Sequence, residues 1–529
     1  MIYYFIVSLI SYLFYFNIKS KRVMHMFQQN RYHFDSYTNW LKSNFFSIFL
    51  TWDLIFLLFP MFMFISYKLS VLIFFVIYLI MYFGYKLSFN KESKQPLVYT
   101  ARVKRMFFTL YLLLFILLFV ILLVFDFYFI NIYYLLLGFF VYLLYLIIIL
   151  VNLINKPIEK CVFLYYRTKA VNKLNNMKNM KVIGITGSYG KTSSKNIIND
   201  ILNVKFNSFP TPKNYNTPNG LMITINNYLD KFNDYFIAEM GACRVGEIKE
   251  LCDLVHPTYG VLTKIGTAHL ETFLSQKNIQ KTKFELIESL PSDGVAILNG
   301  DDELQLDYKL KNNVKILWIG IDNKNVDVYA EDIHLTNKGT IFTCVFKGDS
   351  NKYKFETKLL GKANVYNILS GIALGKELGI SIDQLIYAVK KVEPVEHRLE
   401  LKLVNGIYII DDAYNSNPIG SKMALDVLSM MKGKKIVVTP GMIELGSLQN
   451  RLNKEFGQYM VGKTDEVILI GKKATQYIYD GLKESGFDMK NVHVLNDVKD
   501  AFELIKKLRE NSTYVLLEND LPDLFSERS

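Results

Sequence analysis

The segment Gly184-Ile-Thr-Gly-Ser-Tyr-Gly-Lys-Thr192 brings glycines, a lysine and a hydroxyl into the order that holds nucleotide phosphates. Glycines let backbone N–H groups approach phosphate oxygens, and a helix opening behind them adds the positive end of its dipole. In such a loop Gly187 and Gly190 shape the cradle and Lys191 reaches the terminal phosphates. Thr192 offers its hydroxyl to Mg2+, with Ser193 beside it on the first helical turn. The run KVIGIT before the loop reads as a strand, and KTSSKNIINDIL after it reads as a helix. A chance Gly-Lys-Thr lacks that strand–loop–helix setting. The spacing is a variant of the ordinary phosphate loop, because Ile185 stands where that pattern has a glycine.

Further chemistry-bearing residues sit just past apolar runs. Glu239 stands at the end of the apolar strand in DYFIAEM, His269 lies just past YGVLTKI, and Asn299 ends GVAILN. Lys283 lies within the helical stretch NIQKTKFELIESL, and Arg398 within KKVEPVEHRLELKL, which reads as a hinge. Asp412, Tyr414, Asn415 and Asn417 belong to DDAYNSNP, which follows the run IYII. Open α/β sheets bind ligands at the carboxyl ends of their strands, so these positions are where a site belongs. Glu239 would add a hard carboxylate oxygen for a divalent cation.

The elements that must position these residues alternate. From about Lys181, β-branched runs (KVIGIT, DYFIAEM, YGVLTKI, GVAILN) exchange with amphipathic stretches, which predicts a doubly wound α/β sheet. Residues 313–360 predict a short run of strands, followed by a helix from about Asn364. A second alternation begins at IYIIDD and continues through KKIVVT, EVILIG and VHVL to TYVLLEND. The expected organisation is a transmembrane region over 1–155, a linker over 156–180, a central ATP-binding α/β domain over 181–395 and a Rossmann-like C-terminal domain over 396–529.

The glycine spacing resembles that of the Mur ligases, the family that joins amino acids to the peptide stem of bacterial cell-wall precursors. The resemblance continues in order over about Lys181 to Ser529. Ala238-Glu-Met-Gly-Ala242 is similar to the family segment whose glutamate holds Mg2+. Gly266-Thr-Ala-His-Leu-Glu271 is similar to the one whose histidine binds a second metal ion. Lys281-Thr-Lys-Phe-Glu285 resembles the helix whose lysine is carbamylated, which would make Lys283 an anionic metal ligand. Leu298-Asn-Gly-Asp-Asp302 looks like the adenine-side segment, with Asn299 as the contact. In Glu396-His-Arg-Leu-Glu400, Arg398 matches a γ-phosphate clamp. Asp411-Asp-Ala-Tyr-Asn-Ser-Asn-Pro418 is close to the hallmark of the branch that adds D-alanyl-D-alanine. There Asp412 and Tyr414 would meet the nucleotide, and Asn415 and Asn417 the acyl substrate or amine. Gly441-Met-Ile-Glu-Leu-Gly446 continues the likeness. In Gly361-Lys-Ala-Asn-Val-Tyr-Asn367 the sequence departs, with Ala363 where the family commonly has histidine.

The resemblance implies an ATP- and Mg2+-dependent amide ligase acting through an acyl phosphate, with a cell-wall precursor and an amino acid or dipeptide as partners. It leaves the first third of the chain unmatched, where the family has a soluble UDP-sugar-binding domain. That third carries five apolar stretches, roughly Met1 to Ile18, Phe45 to Ser66, Leu69 to Tyr85, Met106 to Phe125 and Ile132 to Ile154. Basic residues cluster between the first and second (Lys19, Lys21, Arg22), between the third and fourth (Lys91, Arg102, Arg105) and after the fifth (Lys156, Lys160, Arg167). The positive-inside rule then sets the N-terminus outside and everything after the fifth stretch in the cytoplasm. A multi-pass membrane protein with a lipid bilayer and a lipid-linked acceptor as partners is expected. Asp53, inside the second stretch, is a candidate intramembrane carboxylate.

The formal charge of +12 comes largely from residues flanking those stretches, so no nucleic-acid partner is expected. Four scattered cysteines without a C-x-x-C pair exclude a zinc ribbon and a disulfide framework. Rival chemistries are amidation of a lipid-linked precursor and poly-γ-glutamate synthesis. The rival class is a transport or regulatory phosphate-loop ATPase, for which no LSGGQ-type signature is present.

Overall fold

The computed structural model describes residues 2–64, 66–88, 96–124, 126–268, 270–336, 339–414, 417–443 and 445–520. His269 and Asn415 lie outside the described residues. The chain divides into two compact units, the first ending at Leu164 and the second running from Tyr165.

The first unit is helical. Aromatic rings fill its core: Tyr12, Phe74, Tyr78 and Tyr134 are buried together, with Phe74 and Tyr134 stacked at 3.8 Å. Gly138 permits this packing, since a Cβ there would lie 2.3 Å from the Cβ of Phe56. The outer face is as apolar as the core. Phe108, Phe115 and Leu123 on the helix Ala101–Leu123 are each more than 60% exposed. Among the described residues two helices, Tyr67–Ser88 and Ala101–Leu123, are long and apolar enough to cross a membrane. The pair Ile130–Tyr142 and Leu144–Asn176 passes the same measure together but bends by 73° at its break.

Three of the five expected stretches thus fall in these helices, and the first lies within the helix Ile2–Gln29. The second differs from expectation. It divides into a five-residue helix, Phe45–Phe49, and a 3-10 helix, Trp52–Phe64. At the break the Asp53 carboxylate takes hydrogen bonds from Thr51 and Tyr15 and pairs with Lys19. Residues 156–176, expected as a linker, continue the helix Leu144–Asn176.

The second unit contains two sheets. The first is built from β1 (Lys181–Thr186), β2 (Ser208–Pro210), β3 (Tyr235–Glu239), β4 (Tyr259–Leu262), β5 (Val295–Asn299), β6 (Lys315–Gly320), β7 (Val328–Thr336), β8 (Gly339–Phe346) and β9 (Lys352–Thr357). Its order is β2-β3-β1-β4-β5-β6-β7-β8-β9, parallel through β7 and antiparallel for the last two pairs. β1, β3, β4 and β5 are covered on both faces, which is why they read as unbroken apolar runs. Ile183, Ile185, Ile197, Ile201 and Ile368 share one buried cluster that locks the helices Lys191–Leu202 and Lys362–Glu377 onto the sheet.

The second sheet has β10 (Glu400–Val404), β11 (Ile407–Asp412), β12 (Lys434–Thr439), β13 (Glu466–Ile470), β14 (Val492–Leu495) and β15 (Thr513–Glu518). Its order is β10-β11-β15-β12-β13-β14, with only β10 antiparallel to its neighbour. In the first sheet the chain leaves β1 for β2 and β3 on one side and then crosses to β4 on the other. That reversal opens a crevice at the carboxyl end of β1, where α/β sheets bind ligands.

Candidate active site

The loop at this crevice is shaped by its glycines. Gly187 has φ +151° and Gly190 φ +81°, and a Cβ on Gly187 would lie 1.9 Å from the Thr263 hydroxyl. The end of β4 buttresses the loop. Thr263 donates to the Tyr189 carbonyl at 2.6 Å, the Ser188 N–H donates to Lys264 O at 2.9 Å, and the Gly266 N–H donates to Ser188 Oγ at 3.0 Å. Lys191 folds over the loop and donates to the carbonyls of Gly187 (2.8 Å) and Ser188 (3.1 Å). Burial holds its ammonium below the ordinary lysine range, with Glu239 opposing that shift. Ser193 lies on the first turn of the helix Lys191–Leu202.

Register places Glu239 beside Ile185 of β1, so its carboxylate ends at the loop. Thr192 Oγ1 donates to Glu239 Oε1 at 3.2 Å, and Asn216 Nδ2 donates to the same oxygen at 3.0 Å. Lys195, one helical turn beyond Lys191, sets its ammonium 3.1 Å from Oε2, with both side chains 1% exposed. That contact is an ion pair without hydrogen-bond alignment. Lys195, Asn216 and Asn367 were not legible as site residues. Asn367 accepts from Ser194 at 2.8 Å and lies 3.1 Å from where a Gly190 Cβ would stand.

Lys283 is buried on the helix Gln276–Glu288, its ammonium 5.7 Å from the Phe273 ring. Desolvation, reinforced by the Lys191 charge, lowers its pKa to about 7. Asn299 ends β5 buried, and its side-chain oxygen accepts from the Asp301 N–H at 2.9 Å.

The second sheet contributes the other wall. Arg398 lies between two left-handed residues, His397 (φ +60°) and Leu399 (φ +50°), and its guanidinium stacks 4.1 Å over the Tyr414 ring. It is within electrostatic reach of Asp412 and Glu239. Asp412 accepts from the Leu399 N–H at 3.2 Å, and burial raises its pKa to about 6 against the pull of Arg398. Asp411 accepts from Lys402 at 2.9 Å and pairs with the His397 ring at 2.8 Å. Asn417 caps the helix Pro418–Ser429, accepting from the Gly420 N–H at 2.8 Å.

The geometry thus gathers Gly187, Gly190, Lys191, Thr192 and Glu239 at one strand end, with Arg398, Asp412 and Tyr414 on the second domain. Among the described residues no three His, Cys, Asp or Glu side chains form a metal cluster. The Thr192 hydroxyl and Glu239 carboxylate are hard oxygen donors, which suits Mg2+ completing its shell with phosphates and water.

A phosphate loop at a sheet reversal, faced by a second α/β domain, defines a nucleotide-dependent ligase of two α/β domains. The Mur ligase middle domain matches residues 185–375, and the Mur ligase, glutamate ligase domain matches residues 397–517. The UDP-N-acetylmuramoyl-tripeptide--D-alanyl-D-alanine ligase of Bacillus subtilis (strain 168) is 32% identical over 340 residues, covering 64% of this chain and 72% of that protein. The enzyme of the same name from Escherichia coli (strain K12) is 30% identical over 295 residues, covering 55% and 65%. A solved MurF ligase from Thermotoga maritima, in complex with ADP, superposes with TM-score 0.61 at 25% identity over 69% of this chain and 82% of that one. The chain belongs to the Mur ligase family and is an ATP-dependent ligase of the MurF type.

Proposed function

We propose that this protein is a membrane-anchored ligase that forms an amide between a cell-wall precursor carboxylate and D-alanyl-D-alanine or a related amine, with its catalytic body in the cytoplasm. The observation that carries the chemistry is the Glu239 carboxylate set against Thr192 beside a glycine cradle, with Arg398 and Asp412 facing it. The apolar exterior of the first unit supports the anchor, because such a surface is stable in hydrocarbon and not in water. The basic segments support five spans with the N-terminus outside.

Bound ATP would supply the phosphoryl group, and Thr192 and Glu239 would hold Mg2+, which would offset its charge. Gly187, Gly190, Ser193, Asn299, Asp412 and Tyr414 hold the nucleotide. Lys191 and Arg398 stabilise charge on the transferring group. An oxygen of the precursor carboxylate attacks the γ-phosphorus, ADP leaves, and the amine displaces phosphate from the acyl phosphate. His269 and Lys283 would hold a second metal ion, with Lys283 carbamylated. A pKa of about 7 supports this, because carbamylation needs the neutral amine. Asn415 and Asn417 belong to the acceptor or amine side.

The apolar helices stand where relatives recognise a soluble nucleotide-sugar, which favours a lipid-linked or membrane-proximal acceptor. An acceptor labelled with 18O in its carboxylate tests the route. One label per turnover should appear in the released phosphate, and phosphate free of label would contradict an acyl phosphate.

A further inference from the structure

The second unit exposes aromatic side chains on its first helical segment, on the helix Pro218–Asn227 beside it and in the turn that follows that helix. Tyr165 and Phe232 are 65% and 69% exposed, and Tyr166, Ile223 and Tyr228 are exposed with them. Two contacts join the elements: Asn226 Nδ2 donates to Tyr166 O at 3.2 Å, and Lys173 Nζ donates to Asn226 O at 3.3 Å. Tyr228 is steadied from behind by stacking on Phe209. The neighbouring sequence is basic, with Arg167, Lys169, Lys173 and Lys231, and Lys173 is within electrostatic reach of Lys169 and Asp230. Lys231 lies with its ammonium 5.0 Å from the Phe232 ring centroid.

This combination is not that of a water-facing helix, which would put charge where Tyr165 and Tyr166 stand. Tyrosine and phenylalanine rings bordered by lysine and arginine match the headgroup layer of an anionic leaflet. There the rings sit at the hydrocarbon edge and the cations meet lipid phosphates. Tyr165 and Tyr166 belong to the same continuous helix, Leu144–Asn176, which is apolar enough to cross a membrane only together with Ile130–Tyr142. From Ile154 to Tyr165 that helix covers roughly 17 Å, which reaches the headgroup layer when it leaves the hydrocarbon at a slant.

We propose that the patch formed by Tyr165, Tyr166, Ile223, Tyr228 and Phe232 docks the catalytic body onto the anionic surface of the cytoplasmic leaflet. It then holds the ligase active site over acceptors presented there by a lipid carrier. The proposal rests on the membrane-anchored reading above and adds a second, peripheral contact to it.

The test uses the full chain in nanodiscs of phosphatidylglycerol and phosphatidylcholine carrying a lipid with a nitroxide near its headgroup. F232W adds an indole to the patch, and F502W, at an exposed position on the far C-terminal helix Val498–Leu508, serves as control. After subtraction of the parent signal, the F232W indole should be quenched about 3-fold or more and the F502W indole hardly at all, as an interfacial aromatic requires. Replacing phosphatidylglycerol by phosphatidylcholine alone should reduce the F232W quenching. Equal quenching of the two variants overturns the proposal, including the case in which a protein partner or a second copy covers the patch. If that result comes from protein that remains inserted in the disc and still releases ADP, the anchored-ligase reading survives and only the docking fails. Failure to insert into the disc at all would overturn both.

Discussion

Two buried lysine–carboxylate pairs, one in each unit, share a geometry and differ in what surrounds them. Lys19 and Asp53 are 2.9 Å apart, Lys195 and Glu239 3.1 Å, and none of the four is more than 7% exposed. Asp53 is enclosed by donors from its own unit: Tyr15 reaches Oδ1 at 2.5 Å and Thr51 reaches Oδ2 at 2.8 Å. The rings of Tyr15 and Tyr145 flank the Lys19 ammonium, each at 6.0 Å. Glu239 instead borders a glycine-shaped loop and shares an oxygen with the hydroxyl of Thr192. The first pair fixes helices in an apolar unit; the second holds a carboxylate at the strand end where the proposed phosphate and cation would meet. Burial of a charge therefore says little about its use, and the groups on its open side say more.

Substitutions should separate the two pairs, beginning with the loop itself. Lys191→Ala removes the ammonium proposed to serve the phosphates and should lower kcat by roughly 10³-fold, the upper range for one transition-state donor. Thermal unfolding in detergent should be unchanged, and turnover within tenfold of the parent would remove the loop from the mechanism. Lys195→Met leaves Glu239 buried and unpaired. It should cost about 3 kcal/mol of stability in urea unfolding, and ADP release should fall with it. Asp53→Leu should cost about the same, because it strands Lys19, yet turnover per folded molecule should stay near the parent value. Adding Lys19→Met to Asp53→Leu should recover most of that loss, since an apolar pair replaces an ionic one. A large activity loss in the folded Asp53→Leu protein would make the first pair functional and break the comparison.

A pH-dependent effect concerns Lys283. Its folded pKa of about 7 lies below the ordinary 10.5, so between those values the unfolded chain binds more protons. This group's contribution therefore makes stability rise with pH from about 7 to 10.5. In protein whose Lys283 is not carbamylated, Lys283→Met should flatten that slope in unfolding measured across the window. An unaltered slope would mean the ammonium is not desolvated as the structure has it.

Much of the site could be read from the chain because most motif residues, Lys283 and Arg398 apart, end or follow an apolar run, and parallel sheets put such positions on one edge. Glu239, Asn299 and Asp412 all stand at strand ends for this reason. Lys195 and Asn216 escaped because neither follows a strand and their partner is brought in only when β3 pairs with β1. Asn367 escaped because its contact with Ser194 crosses most of the domain in sequence. In the first unit, hydropathy found the apolar stretches but missed the division of the second. There the polar contacts of Asp53, which reach across from Tyr15 and Lys19, accompany the change from α to 3-10 geometry. The expected linker proved helical because nothing in residues 156–176 stops a helix, and Pro157 is accommodated within it.

The central claim is that one chain joins a membrane unit to working ligase chemistry. The full-length protein in lipid nanodiscs, given ATP, Mg2+, UDP-N-acetylmuramoyl-tripeptide or its lipid-linked counterpart, and D-alanyl-D-alanine, should release one ADP for each amide formed, followed by mass spectrometry of the product. ADP released without any new amide from either acceptor would contradict the account.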